Sequence, residues 1–291
     1  MRAPSISLAL LAVAALAIAT AGEPRPSGVV FTCDFESPEW YTAFGLREAP
    51  PTLDIVDSDP ERRFTPHRGK ALRVRIPKGG NLGSNLQFAF QSRTGAEPEE
   101  IYFRYHLRLA EDWDPIHQGG KLPGISGTYG RAGWGGRPVS GADGWSARGA
   151  YRRLTPAGET PVGFYTYHVD MKGRYGSVWT WENQRLGYLR KNRWYAIEQH
   201  VKMNTPGKND GILRAWVDGQ LAFEKTNLRF RDTADLKIEM VWLNVYEGGI
   251  RPAHADQHLY IDDVAIARSY IGPAWPGPEA DQALAFTTTA R

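Results

Sequence analysis

One cysteine, Cys33, is all that this 291-residue chain contains, so no intrachain disulfide can form and stability has to come from a core. With 42% hydrophobic and 12% aromatic residues, one sizeable domain can bury enough surface without staples. Cys33 itself sits in the apolar run 29–35, which predicts a buried, inert thiol rather than a nucleophile. Beyond the first twenty or so residues no apolar run is long enough to cross a bilayer. Charge of one sign is also scarce. The net +3 and the isoelectric point near 8.9 permit an anionic ligand without demanding one. Lys and Arg are dispersed, and no helix-turn-helix or RNP-like pattern occurs, which speaks against nucleic acid as a partner.

Several catalytic signatures are missing as well. No G-x-S-x-G elbow occurs. His254 and His258 have the spacing of a zinc helix, but the glutamate of His-Glu-x-x-His is absent and a strand-like run follows. The Glu-x-Asp-x-x-Glu pattern of laminarinase-like hydrolases is absent, so paired-carboxylate glycoside hydrolysis has no foothold. Amphipathic helices and internal repeats are scarce, and no second domain boundary shows.

What is present begins with a short leader. Met1-Arg2 is basic, 8–18 is an apolar run too short for a span, and Ala19-Thr20-Ala21 has the small-x-small form of a signal-peptidase site. This predicts a signal peptide over 1–21, a domain over 22–272 and a loosely ordered, proline-containing tail over 273–291, in a secreted or periplasmic protein. Period-two alternation then dominates from 29 to 268. The run 101–109 puts Phe103, Tyr105, Leu107 and Leu109 on one face and Arg104, His106 and Arg108 on the other, the pattern of a strand with one wet side. Similar runs lie at 71–76, 86–90, 195–203, 213–217, 238–246 and 258–267, and Asp218-Gly219 signals a hairpin. Ten or more strands without a βαβ rhythm predict an all-β fold, two antiparallel sheets packed as a sandwich or jelly roll, with a barrel as the alternative. The glycine-rich stretch 119–144 is expected to be a functional loop over one sheet, with Lys121 on a rigid turn.

The chemistry concentrates in three places. Gly119-Gly120-Lys121-Leu122-Pro123-Gly124 supplies a lysine, Trp145-Ser146-Ala147-Arg148 a hydroxyl and a guanidinium two residues apart, and Tyr165-Thr166-Tyr167 two phenols at the same spacing. Strand alternation puts each i,i+2 pair on one face. Such a set suits gripping a carboxylate and abstracting the proton beside it, because masking the carboxylate charge acidifies the neighbouring C–H. β-Elimination of a uronic-acid polymer follows as the expected reaction.

These three segments, with 197–207 and Trp216-Val217-Asp218-Gly219, resemble the alginate and glucuronan lyases of polysaccharide lyase family 14 over roughly 102–264. The resemblance implies a β-jelly roll whose concave sheet binds an acidic polysaccharide, and an elimination that needs no cofactor. It places the family's essential lysine on Lys121, its serine on Ser146, its arginine on Arg148 and its tyrosine pair on Tyr165 and Tyr167. The loop 125–144, with Tyr129, Arg131, Trp134 and Arg137, departs from the family pattern. Arg148 is the expected carboxylate mask, since a guanidinium stays charged and grips bidentately, and Ser146 is expected to hydrogen-bond the same carboxylate or orient the sugar. Base and acid remain open among Lys121, Tyr165 and Tyr167. Arg104, His106, Trp242, Asn244 and Tyr246 are expected to bind substrate. Asp34, Glu36, Asp262 and Asp263, near the two chain ends, are candidate oxygen donors for a structural calcium. A monomer is expected. A non-catalytic carbohydrate-binding domain on the same scaffold is the alternative reading.

Overall fold

In the computed structural model, residues 26–115, 119–249 and 251–273 are described. The expected leader over 1–21, and all of the expected tail but Pro273, lie outside them. Among the described residues no helix is long and apolar enough to cross a membrane.

The alternating runs pair into two antiparallel sheets that pack face to face as a β-sandwich of the jelly-roll type. The first contains β1 (Val29–Cys33), β2 (Leu53–Val56), β3 (Ala71–Ile76), β5 (Glu100–Leu109), β11 (Trp194–Lys202), β12 (Gly211–Val217), β13 (Gln220–Leu228) and β15 (Gln257–Ala267). Its order is β13-β12-β11-β5-β15-β3-β2, with β1 also against β15. The second contains β4 (Leu82–Ala89), β6 (Gly120–Gly127), β7 (Trp145–Tyr151), β8 (Thr160–Tyr167), β9 (Ser177–Thr180), β10 (Tyr188–Leu189) and β14 (Met240–Glu247). Here the order is β10-β8-β7-β6-β14-β4, with β9 against β8. The expected turn at Asp218-Gly219 joins β12 to β13, both residues holding positive φ.

Between the sheets lies one apolar core. Phe103, Tyr105 and Leu107 of β5, Ile197 of β11 and Ile261 of β15 meet Leu122, Ala147, Phe164 and Leu243 of the facing sheet. Cys33, half-buried at the end of β1, has its thiol pushed up to about 12 by burial, in keeping with an inert side chain.

Two expectations are corrected. First, Gly120–Gly127 is a strand, not a turn or loop, and it runs through the middle of its sheet between β7 and β14. Proline in a central strand is tolerated because the register slips at Pro123: the pairing with β7 jumps from Leu122 to Gly124. Gly124 lies so close to β7 that a Cβ would sit 2.4 Å from the Arg148 Cα. The Pro123 carbonyl, freed by the slip, accepts a 2.8 Å hydrogen bond from Gln199 Nε2, a buried side chain that reaches across from the other sheet. The loop proper spans only the residues between β6 and β7. Second, the polar face of β5 is not wet. Arg104, His106 and Arg108 are 1%, 4% and 4% exposed. Phe64 packs on Tyr260 above this face, and the Arg108 guanidinium donates to the Arg63 and Asn192 carbonyls.

Candidate active site

Lys121 (β6), Arg148 (β7), Tyr165 and Tyr167 (β8) and Trp242, Asn244 and Tyr246 (β14) converge on one cleft of about 1120 Å³ on the outer face of the second sheet. Cross-strand register aligns them: Arg148 lies opposite Tyr165, Ser146 opposite Tyr167, and Lys121 opposite Tyr246. The intervening residues face inward, as alternation requires. Phe164 packs on Trp181 in the core, and His168 Nε2 lies 3.0 Å from Ser177 Oγ beside Trp179.

Arg148 forms the floor. It is 6% exposed, and its Nη1 donates to Asn244 Oδ1 at 3.2 Å, while Asn244 Nδ2 is anchored on the Ser84 carbonyl. Its guanidinium carbon sits 4.9 Å from the Trp242 ring centre and 5.6 Å from that of Tyr165. Among the described residues no carboxylate lies within ion-pair distance of it. Burial pulls it down to about 10, which still leaves it charged at neutral pH. A buried cation held by a neutral amide and aromatic faces, at the bottom of a cleft, has the chemistry to receive an anion.

Beside it, Lys121 Nζ donates to the Gly248 carbonyl at 2.8 Å and lies 5.1 Å from the ring centres of both Tyr165 and Tyr246. Burial first, then the Arg148 charge, pull its amine from 10.5 down to about 8, against the opposing field of Glu247. Glu247 is itself buried and accepts the Tyr151 phenol at 2.5 Å. Tyr165 is half-buried with its hydroxyl 3.3 Å from that of the fully buried Tyr167. Burial pushes Tyr165 above the ordinary phenol range.

Ser146 shares the Arg148 face yet does not line the cleft. It is 0% exposed, and its hydroxyl donates to the Gly133 carbonyl at 2.6 Å beneath the loop. Arg104 and His106 are not brought to the cleft at all, because β5 belongs to the other sheet; the expectation that they join the substrate-binding face is corrected by that placement. Arg104 donates to the carbonyls of Gly272 and Asp263, and His106 stacks on His67 at 4.1 Å, with Asp263 Oδ2 3.9 Å away. Burial and neighbouring Arg104 hold the imidazole near 2, uncharged throughout the working range.

Sequence reasoning overlooked Asn85 and Gln87 on β4 and Tyr175, and it named Trp134 as a member of the loop 125–144 without giving it a site role. The first two carry a signal: they alternate with core residues Leu86 and Phe88. Trp134 and Tyr175 carry none, since loop placement follows no period.

A family model described as polysaccharide lyase 14 matches residues 65–264. No curated protein matches the sequence. Among solved structures, alginate lyase Aly36B superposes with a TM-score of 0.62 at 20% identity, over 86% of this chain and 100% of that one. The marine PL-14 alginate lyase from Aplysia kurodai gives 0.63 at 18%, over 83% and 100%. The endo-beta-1,4-glucuronan lyase from the fungus Trichoderma reesei gives 0.52 at 15%, over 83% and 96%. These likenesses speak for a common fold.

Proposed function

From the premise that the chain belongs to the polysaccharide lyase 14 family, and so is a polysaccharide lyase, we propose that its cleft cleaves a uronic-acid polymer such as alginate or glucuronan by β-elimination. The observation that carries this reading is the buried Arg148, held by Asn244 rather than by a carboxylate, beside a lysine depressed to about 8. Arg148 takes the uronate carboxylate and masks its charge. Neutral Lys121 then removes the C5 proton, and the electron pair of that bond moves toward the carboxylate as an enolate. Collapse of the enolate forms the C4=C5 double bond and expels O4, which takes the proton of Tyr165. The raised phenol of Tyr165 keeps that proton in place until the oxygen leaves. Solvent returns the proton from Lys121 to Tyr165. Trp242, Tyr246 and the loop aromatics Trp134 and Tyr175 stack on sugar rings along the cleft. The working protein is the domain 22–272, a monomer exported by its 1–21 leader.

Incubation with a panel of acidic polysaccharides, read by the ultraviolet absorbance of unsaturated ends, tests this. Product is expected on at least one uronan. The rate should fall about tenfold for each pH unit below about 8, where Lys121 is protonated and cannot accept, and level off above it. Binding without unsaturated product would instead identify a carbohydrate-binding domain.

Away from the cleft, the reading includes a structural calcium between the chain ends. Glu36 lies where a Cβ on Gly69 would come within 2.2 Å of its Oε1, Asp34 Oδ1 accepts the Glu36 N–H, and Asp262 Oδ2 is buried without a hydrogen bond. Burial first, then Asp263, hold the Asp262 carboxyl up near 8. Carboxylate oxygens suit a hard cation. Asp263 stays in the donor set: its Oδ2 is likewise buried without a hydrogen bond, and it lies with His67 and His106 in a group whose ligand atoms are all within 4.8 Å of one another.

A further inference from the structure

Ser146 holds a loop, and the loop holds a phenol. The Ser146 hydroxyl donates to the Gly133 carbonyl at 2.6 Å. Gly133 begins a closed turn in which its N–H reaches the Arg137 carbonyl and the Arg137 N–H reaches the Trp134 carbonyl at 2.9 Å, with the Arg137 guanidinium 3.7 Å above the Trp134 ring. This turn presents the Gly136 N–H to Tyr167 Oη at 2.9 Å. Gly136 has φ of 75°, a conformation in which glycine is at ease, and a Cβ there would meet Tyr175 at 2.9 Å.

One hydrogen-bond direction is fixed by chemistry. An amide N–H can only donate, so Tyr167 Oη accepts from Gly136. Tyr167 is fully buried, and its Oη lies 3.3 Å from Tyr165 Oη, where either phenol can donate; the hydrogen-bonded chain proposed below takes Tyr167 as the donor. Tyr165, which faces the cleft, is thereby left with its O–H free for the leaving oxygen. When that proton departs, the phenolate on Tyr165 is already facing a donor whose own oxygen is polarised by an amide, and bonds in such a chain reinforce one another.

We propose that Ser146 is a positioning residue that touches no substrate: it pins the glycine loop so that Gly136 N–H, Tyr167 and Tyr165 form one hydrogen-bonded chain that stabilises the phenolate formed on Tyr165 during elimination. This rests on Tyr165 being the acid of the proposed lyase reaction. Other groups also face the pair. Arg148 on β7, Lys121 on β6 and Tyr246 on β14 lie beneath or beside it, while Arg137, Arg174 and Tyr175 lie in the loops above. All of these are present in every variant below, so their fields cancel in the comparison.

The test uses the full chain with a fluorinated tyrosine at position 165, whose more acidic phenol is titrated by fluorine NMR without substrate. In Ser146→Ala, and independently in Tyr167→Phe, the titration should move up by about one pH unit, a tenfold weaker acid. In Ser146→Thr, which keeps the hydroxyl, it should stay put. In turnover, Ser146→Ala should lose about tenfold or more in kcat with KM nearly unchanged, and the fluorinated tyrosine should restore much of that loss. A titration that does not move in either folded variant overturns the chain. Should Ser146→Ala not fold, Tyr167→Phe decides alone. A titration that moves in a protein inert toward every uronan upholds the chain and sinks the lyase chemistry instead.

Discussion

On β5, Arg104, His106 and Arg108 alternate along one face just as Ser146 and Arg148 do on β7 and Tyr165 and Tyr167 on β8, yet the two sheets use this pattern differently. On the first sheet each cation is closed over. Arg104 meets two carbonyls and the field of Asp263 and Glu198, Arg108 meets two more carbonyls, and nearby Tyr260 gives its hydroxyl to Asp59, which Arg73 also grips at 2.9 Å. On the second sheet, among the described residues, Arg148 donates to the Asn244 amide and Lys121 to the Gly248 carbonyl, and both look into a cleft. Buried charge that is fully paired fixes architecture; buried charge left for a visitor binds one. The difference lies in the loops and chain ends that cover one face and arch over the other.

The comparison breaks most sharply at the phenols. Tyr165→Phe removes a proton carrier with little change in volume and should cut elimination by about two to four orders of magnitude. Tyr260→Phe, the matching change on the closed face, should leave turnover intact and cost on the order of 1 kcal/mol of stability through its lost bond to Asp59. Both are read from initial rates and denaturant unfolding. Equal losses of activity in the two variants would end the functional distinction between the faces.

Much of this was legible beforehand, for a physical reason. Period-two alternation reports which side chains share a face, so Arg148 with Ser146 and Tyr165 with Tyr167 were readable from spacing alone, as were the strand runs that became β3, β5, β11 and β15. Alternation says nothing of what lies above a face. Hence Arg104 and His106 look in sequence like a second half of the site, although β5 and β7 belong to different sheets. The strand through Lys121 was hidden by its composition: three glycines and a proline read as a loop until the register slip and the Gln199 bond from the far sheet explain how they fit. Ser146 shows a third limit. Its face was right, but only the fold of the glycine loop reveals that its hydroxyl is spent on Gly133.

Two arginine variants sharpen the contrast at intermediate scale. Arg148→Lys keeps the charge but not the planar two-donor grip, so it should lose about 2 kcal/mol of transition-state stabilisation, about 30-fold in kcat/KM, with the melting temperature little changed. Arg104→Met leaves Asp263 and Glu198 short of their buried cation and should cost about 3 kcal/mol of stability while activity below the melting transition stays within about twofold. A folded Arg148→Lys variant with ordinary turnover would remove the carboxylate mask from the mechanism.

The expected effect of chelation falls on stability alone, and it separates the two regions without touching either chemically. The proposed calcium donors, Asp34, Glu36, Asp262 and Asp263, sit at the chain-end side of the closed sheet, where β1 pairs with β15. The proposed elimination runs on Arg148, Lys121 and Tyr165 alone. A metal that binds only the folded state stabilises it by RT ln(1 + [L]/Kd), so stripping calcium that is present at about a hundred times its Kd removes about 2.7 kcal/mol. Exhaustive chelation should therefore lower the melting temperature by several degrees and leave initial rates at 25 °C unchanged, with added calcium restoring the melting temperature. Carboxylate crowding gives the same result a pH signature. Asp262, raised by burial and Asp263, binds a proton more readily folded than unfolded, so without metal its ionisation destabilises the fold as pH climbs from the ordinary carboxylate range toward about 8. The chelated protein should thus lose stability over that window while the calcium-loaded protein does not. An unchanged melting temperature at every pH would remove the metal from the closed face and leave its carboxylates to the surrounding arginines.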